Sequence, residues 1–384
     1  MNQQYERLFS SVEFSNGIKL ESRFAMAPMV AVGSSYDGQV GADDIKYFKR
    51  RANTGSMLIT GAANIGPYGN AFGYGLGIQS DNHTAGMKDL AASMKSKGAK
   101  AILQIFHPGR QAKYSYKDEG AVYGPSEKQF EFLDYPVTGF TNQEVYDYIQ
   151  YFAEATRRAI EAGFDGVEIH GANHYLLQQF FSELSNERED EWGGTREKRA
   201  SFPLAVVKAV QDEVEKQAAN DFIIGYRLSP EEVHGDVVGY TFDDALYLID
   251  QVAELGVDYI HLSQFGPEGY KNRVQLGEHE GEVINSIVRD LLDGRTLLMG
   301  AGDLTSPDKL LDALNYVDIL AMGSAAIVEP DLMQKLKDGK EDSISLDITG
   351  RVDDLALPER FYMMVGALKG SGSIPKATIE LIEQ

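Results

Sequence analysis

The sequence predicts an α/β fold, a (β/α)8 barrel in a single domain, and three observations predict it. Short apolar runs alternate with helix-period segments eight times over. Many of the helical segments end in Gly, a common helix C-cap. No long linker divides the 384 residues, a length ordinary for a barrel with loop insertions. A doubly wound open sheet is the competing architecture, and it typically carries about five or six strands, so eight favour the barrel.

The elements follow in order. A short N-terminal hairpin, VEFSNGIKLESR, turns at Asn16-Gly17. The strands then read RFAMAPM (23–29), SMLITGA (56–62), KAILQIFH (100–107), DGVEIHG (165–171), FIIGYRLS (222–229), DYIHLSQ (258–264), TLLMGAG (296–302) and VDILAMG (317–323). Between them lie helical patterns such as NQEVYDYIQYFAEATRRAIEAG (142–163) and TFDDALYLIDQVAELG (241–256). Two stretches read as insertions, 66–81 after the second strand and 109–137 after the third. Long loops at the C-terminal ends of barrel strands shape sites. The barrel is expected over 1–340. The tail, 341–384, is less patterned and contains GSGS; it reads as a helical appendage packing on the barrel or on a neighbouring subunit, which leaves a homo-oligomer open.

Composition narrows the function. No run of 18 apolar residues is present, so no membrane span is expected, and the N-terminus lacks the basic start and apolar core of a secretory signal. A cytoplasmic protein is the expectation. A formal net charge of −22 repels phosphate backbones, so the expected partner is a small molecule and not nucleic acid. The absence of cysteine excludes disulfides, thiolate nucleophiles, cysteine-held zinc and cysteine-held iron–sulfur clusters.

Barrel active sites lie at the C-terminal ends of the strands. Collected there are Gln104 and His107, then His170, Asn173 and Tyr175, then Arg227, then Ser263 and Gln264, then Gly300 and Gly302, then Gly323-Ser324. Glycine-rich ends of the last two strands suit a phosphate held by backbone N–H groups, although Gly also simply ends strands. Arg227, mid-strand, needs either a barrel carboxylate such as Glu168 or an electron-rich ligand atom. Gln104 offers a donor and an acceptor, as the edge of a planar heterocycle requires; a satisfied core Gln is the bland alternative. His170 and Asn173 are two neutral donors able to hold one carbonyl oxygen, and Tyr175 is a protonated group able to act as an acid. The competing reading is a polar turn whose side chains bond one another. His174 reads as structural or pocket-lining. No histidines cluster with carboxylates at ligand spacing, so no metal site is expected.

EIHGANHYLLQQFFSELSNEREDEWGG followed by TREKR resembles the signature of the Old Yellow Enzyme family, FMN-dependent ene-reductases and their relatives. AMAPMV (25–30), LGIQSD (76–81), ILQIFHPGRQA (102–112), GYRLSPEE (225–232) and the segments at 300–302 and 323–324 match in order and spacing, so the resemblance covers roughly residues 8–335. It implies noncovalent FMN at the C-terminal mouth and ping-pong transfer of hydride from NADH or NADPH, through the flavin, to an activated alkene. It also implies site roles: His170 and Asn173 on the substrate oxygen, Tyr175 as proton donor, Gln104 and Arg227 on the flavin's pyrimidine edge. Pro28, Met29, Val30 and Ala62 would line the ring, with Gly300, Ala301, Gly302, Gly323 and Ser324 toward the phosphate.

Two positions depart from the family pattern. Val30 stands where relatives often carry a Thr or Cys that contacts the flavin. Gly323-Ser324 stands where many have Gly-Arg. The alternative function is a flavin-free barrel lyase or isomerase acting on a phosphorylated metabolite, which wants a lysine or a metal cluster at the strand ends; neither is visible there. A flavin-binding protein without catalysis is a third reading, and Tyr175 with the His170–Asn173 pair argues against it.

Overall fold

The computed structural model describes residues 2–217, 219 and 221–383. Eight parallel strands close a barrel: β1 (Phe24–Met26), β2 (Met57–Ile59), β3 (Lys100–Phe106), β4 (Gly166–Gly171), β5 (Ile223–Leu228), β6 (Tyr259–Leu262), β7 (Leu297–Gly300) and β8 (Ile319–Met322). Closure comes from β8 pairing β1, with Leu320 opposite Phe24, and from β2 pairing β3, with Met57 opposite Lys100. Every strand lies within an apolar run read from the sequence. A short extra strand, Ala63–Asn64, extends the pairing of β3.

Helices α1 (Ala42–Arg51), α2 (Thr84–Met94), α3 (Asn142–Glu161), α4 (Arg196–Lys216), α5 (Phe242–Glu254), α6 (Ile284–Leu292), α7 (Pro307–Ala313) and α8 (Ser324–Val328) follow the strands in turn. Their starts are written in the sequence. Thr141 with Glu144, and Thr241 with Asp244, form capping boxes at α3 and α5 that satisfy otherwise orphaned N–H groups. Among the described residues, no helix is long and apolar enough to cross a membrane.

Two apolar layers result from the strand period of two. Outward side chains pack beneath the helices. Inward ones, among them Ala25, Ile59, Ile102, Ile223, Tyr259, Met299 and Ile319, fill the barrel. The N-terminal hairpin, turning at Gly17, closes the bottom by setting Phe14 against Tyr259, ring centroids 6.1 Å apart. Tyr259 fits because the neighbouring residue on β5 is Gly225, where a Cβ would lie 2.1 Å from the ring.

The tail lies against the barrel. Buried Arg51, stacked 3.6 Å over Tyr47, donates to the Leu355 carbonyl, and Arg50 bridges Asp331 and Asp354. The tail helix Val365–Lys369 reaches the C-terminal mouth of the barrel.

Overpacking a full core costs typically about 1–3 kcal/mol. Gly225→Ala is expected to destabilise the barrel by at least that much in a urea unfolding titration, since the displaced Tyr259 has no void to enter.

Candidate active site

One cavity, about 990 Å3 including its open mouth, occupies the C-terminal end of the barrel. Its wall contains Pro28, Met29, Val30, Ala62, Gln104, His170, Asn173, Tyr175, Arg227, Ala301, Gly302, Gly323 and Ser324. Residues scattered over the whole chain thus meet at one place.

The floor is a buried polar layer. Glu168 on β4 is wholly buried and accepts from Gln104 Nε2 at 2.6 Å and from His261 Nδ1 at 2.8 Å. Burial pushes its carboxyl up, but the His261 contact, the Arg227 charge and the Gln104 bond outweigh it and hold it below the usual carboxylate range. Burial holds the His261 ring below its ordinary value, so we assign it as neutral, with Nδ1–H donating. His261 escapes sequence reading, and Glu168 is legible only as a partner for Arg227. The available signal was parity: Glu168 points the same way as His170, two residues on, and register sets Gly225 between it and the Tyr259 strand.

Arg227 lies above this layer, 6% exposed, paired in register with His170 and His261. It makes no salt bridge: among the described residues, no carboxylate comes within 4.0 Å, and its buried Nε has no hydrogen-bond partner. Burial lowers its pKa and the Glu168 charge opposes that. The structural ion pair with Glu168 weighed from sequence is therefore replaced by Glu168–His261. The guanidinium is left facing the cavity.

The turn after β4 has unusual backbone. Asn173 and His174 take φ of 58° and 60°, the left-handed region, where each non-Gly residue costs roughly 1–3 kcal/mol. A ring of side chains holds it. Ser229 Oγ accepts from the Asn173 N–H, Gln178 Oε1 accepts from the His174 N–H, and Gln111 donates to both carbonyls. Ser263 Oγ donates to Asn173 Oδ1 at 2.8 Å, which leaves the Asn173 amide N–H groups for the cavity. His170 Nδ1 accepts from the Ala172 N–H at 3.2 Å, so its proton sits on Nε2. Burial, with the Arg227 charge, keeps this ring well below its ordinary pKa and neutral. His170 and Asn173 are two fixed neutral donors.

Tyr175 stands beside them. Its ring meets Phe106 and His170 edge-on, centroids 5.1 and 5.0 Å away, and among the described residues its hydroxyl has no hydrogen-bond partner. Burial pushes its pKa up to about 12 despite Arg227 nearby, so it carries its proton at neutral pH.

Other sequence candidates separate. Gly300 does not line the cavity: it sits within β7, where a Cβ would strike Val317 at 2.5 Å, so its reason is packing. Gly302, at φ 110°, passes so close to Gly269 that a Cβ would lie 2.6 Å from its Cα. His107 is a satisfied core histidine, its Nε2 2.9 Å from the Pro67 carbonyl and its Nδ1 accepting from Gly109. Tyr68, Tyr74, Tyr114 and Tyr116 each pack on another aromatic ring. Missed by sequence were Phe72 and the tail residues Met364, Ala367, Gly370 and Ser371, all in the cavity wall. No motif marks them. Although no ligand spacing joins them along the chain, the fold brings His174, Glu232 and His234 together with ligand atoms within 4.8 Å of one another.

The family model for the NADH:flavin oxidoreductase / NADH oxidase family matches residues 7–343. The chain is 35% identical to the probable NADH-dependent flavin oxidoreductase YqiG of Bacillus subtilis, over 96% of this chain and 98% of that protein. It is 37% identical to the NADH:fumarate oxidoreductase of Klebsiella pneumoniae, over 93% of this chain but only 38% of that longer protein. The Old Yellow Enzyme homologue of Zymomonas mobilis superposes with a TM-score of 0.76 at 21% identity, over 96% of this chain and 99% of that one, a likeness of fold. A barrel with this mouth and this match defines a class, the flavin-dependent oxidoreductases. The chain belongs to the NADH:flavin oxidoreductase / NADH oxidase family, the Old Yellow Enzyme family, and is an FMN-dependent NAD(P)H oxidoreductase. The cavity fits FMN on its own chemistry: an unpartnered buried guanidinium awaits an electron-rich ring edge, and Gln264 Nε2 is likewise buried without a partner.

Val30 lies in this wall and cannot donate a hydrogen bond. Val30→Thr adds a donor that favours an electron-rich ring. Potentiometric titration is expected to show a raised flavin midpoint potential; an unchanged or lowered one would remove Val30 from contact with the ring.

Proposed function

We propose that the enzyme reduces activated alkenes and that the residues of the cavity divide the work as follows. When bound, FMN would supply the hydride-transfer chemistry between NADH or NADPH and the β-carbon of the alkene. Gln104 and Arg227 would hold its pyrimidine edge, the cation countering negative charge there. Pro28, Met29, Val30 and Ala62 would line the ring, and Ala301, Gly302, Gly323 and Ser324 would hold the phosphate through backbone N–H groups and the Ser324 hydroxyl. Without a cationic side chain from position 324, that end of the cofactor is held more weakly than in relatives with Gly-Arg.

His170 Nε2–H and the Asn173 amide hold the substrate's carbonyl oxygen and stabilise charge that gathers on it. Fixed donors are effective because they need no reorganisation during the reaction. Tyr175 gives its proton to the α-carbon. A positioned acid contributes on the order of 10²–10⁴-fold. The observation carrying this reading is the convergence of two oriented neutral donors and one protonated tyrosine with no other partner. The name of the fumarate-reducing relative, whose substrate is an activated alkene, supports it.

Stopped-flow kinetics separate the two half-reactions. Tyr175→Phe is expected to slow reoxidation of reduced enzyme by cyclohexenone by about 10²-fold or more while leaving reduction by NADPH within a few-fold. An unimpaired second half-reaction would show that Tyr175 is not the acid. Ser263→Ala should slow the same step by about tenfold with little loss of stability, since it frees the Asn173 amide to rotate; removing one such bond costs only about 0.5–1.5 kcal/mol. Equal slowing of both half-reactions would contradict that orienting role.

A further inference from the structure

We propose that His174, Glu232 and His234 form a binding site for a divalent first-row transition cation at the rim of the active-site mouth. Glu232 and His234 lie on the short strand Glu232–His234, which forms a hairpin with Val237–Tyr240 just after β5. His174 comes from the turn after β4, between Asn173 and Tyr175. The fold brings them together: His174 Nδ1 is 3.4 Å and His234 Nε2 3.8 Å from Glu232 Oε1. The two rings lie 5.2 Å apart between centroids.

The carboxylate is the telling group. Glu232 is 2% exposed, and among the described residues its Oε1 has no hydrogen-bond partner. Oε2 accepts from Gln178 Nε2 at 3.3 Å. A buried carboxylate oxygen without a partner is costly, and here it lies under two part-exposed imidazoles at distances too long for good hydrogen bonds. Gly239 keeps room for it, since a Cβ there would lie 2.7 Å from Oε2.

Two imidazoles and one carboxylate suit zinc and its neighbours in the first transition row. Ligand atoms about 2.0–2.1 Å from a tetrahedral cation are about 3.3 Å apart, so the two imidazole–carboxylate separations need to close by at most about half an ångström, and the two imidazole nitrogens, within 4.8 Å of each other, by up to about 1.5 Å. His174 would give up its 3.1 Å contact with Gln178 Nε2. Three protein ligands leave a coordination position open to the adjoining cavity, whose wall also holds Asn173 and Ser263. A cation here ties the Asn173–His174 turn to the hairpin after β5, two neighbouring segments of the rim that follow adjacent strands.

The test is calorimetric titration of the tag-free, FMN-loaded enzyme with ZnCl2 after treatment with a chelator and desalting. One zinc per chain is expected. His234→Ala, at a half-exposed position, and Glu232→Gln should each weaken that binding at least tenfold, with the flavin spectrum of His234→Ala unchanged. His279→Ala removes another histidine paired with a glutamate, Glu282, and should leave binding intact. No saturable zinc binding, or binding that survives His234→Ala, overturns the site; the second result would place the zinc elsewhere on an acidic surface.

Discussion

A guanidinium buried in the mouth of a barrel without a carboxylate is the constraint on which this structure turns. An unpaired buried charge is among the most costly features a fold can carry. Here the nearest acid, Glu168, is already engaged by Gln104 and His261. Glu168 offsets the charge of Arg227 through the field while leaving its donors free. The polar layer thus acts as a counter-ion set one step below the site. Gly225, by making space for Tyr259 beneath it, lets that layer sit on an apolar plug.

The second constraint is the turn after β4. Two consecutive left-handed residues, neither of them glycine, are held by Ser229, Gln111 and Gln178. The strain has a use. It lets the chain reverse so that His170, Asn173 and Tyr175 all face one cavity within six residues. Burial and the Arg227 charge keep His170 a neutral donor, so the cation left free by the floor also fixes the protonation state of the wall.

Much of this was legible in the sequence. Each barrel strand is a short apolar run, most of them ending in polar or glycine residues, and the strand-end rule then gathers Gln104, His170, Asn173, Tyr175, Arg227 and Gly302 without knowledge of their distances. Less legible were partnerships across strands. That Glu168 pairs with His261 and not Arg227 depends on which of two donors lies within hydrogen-bonding reach, a matter of register and rotamer. Gly300 and His107 have the right residue type at the right place in the pattern, but strand twist and a local carbonyl turn them to packing. The tail residues Met364, Ala367, Gly370 and Ser371 carry no motif, because a wall needs only small or apolar atoms. His174, Glu232 and His234 show no ligand spacing along the chain, because a loop and a distant hairpin meet only in the fold.

The account rests on Arg227 being held for a cofactor and not for the fold. The most direct measurement is the thermal midpoint of Arg227→Met, apo and with saturating FMN, against the unaltered chain. Relief of an unpaired buried charge predicts an apo midpoint equal to or above that of the unaltered protein, and a much smaller rise on adding FMN. A fall of several degrees in the apo midpoint with an undiminished rise on FMN would make Arg227 a structural cation and contradict the account.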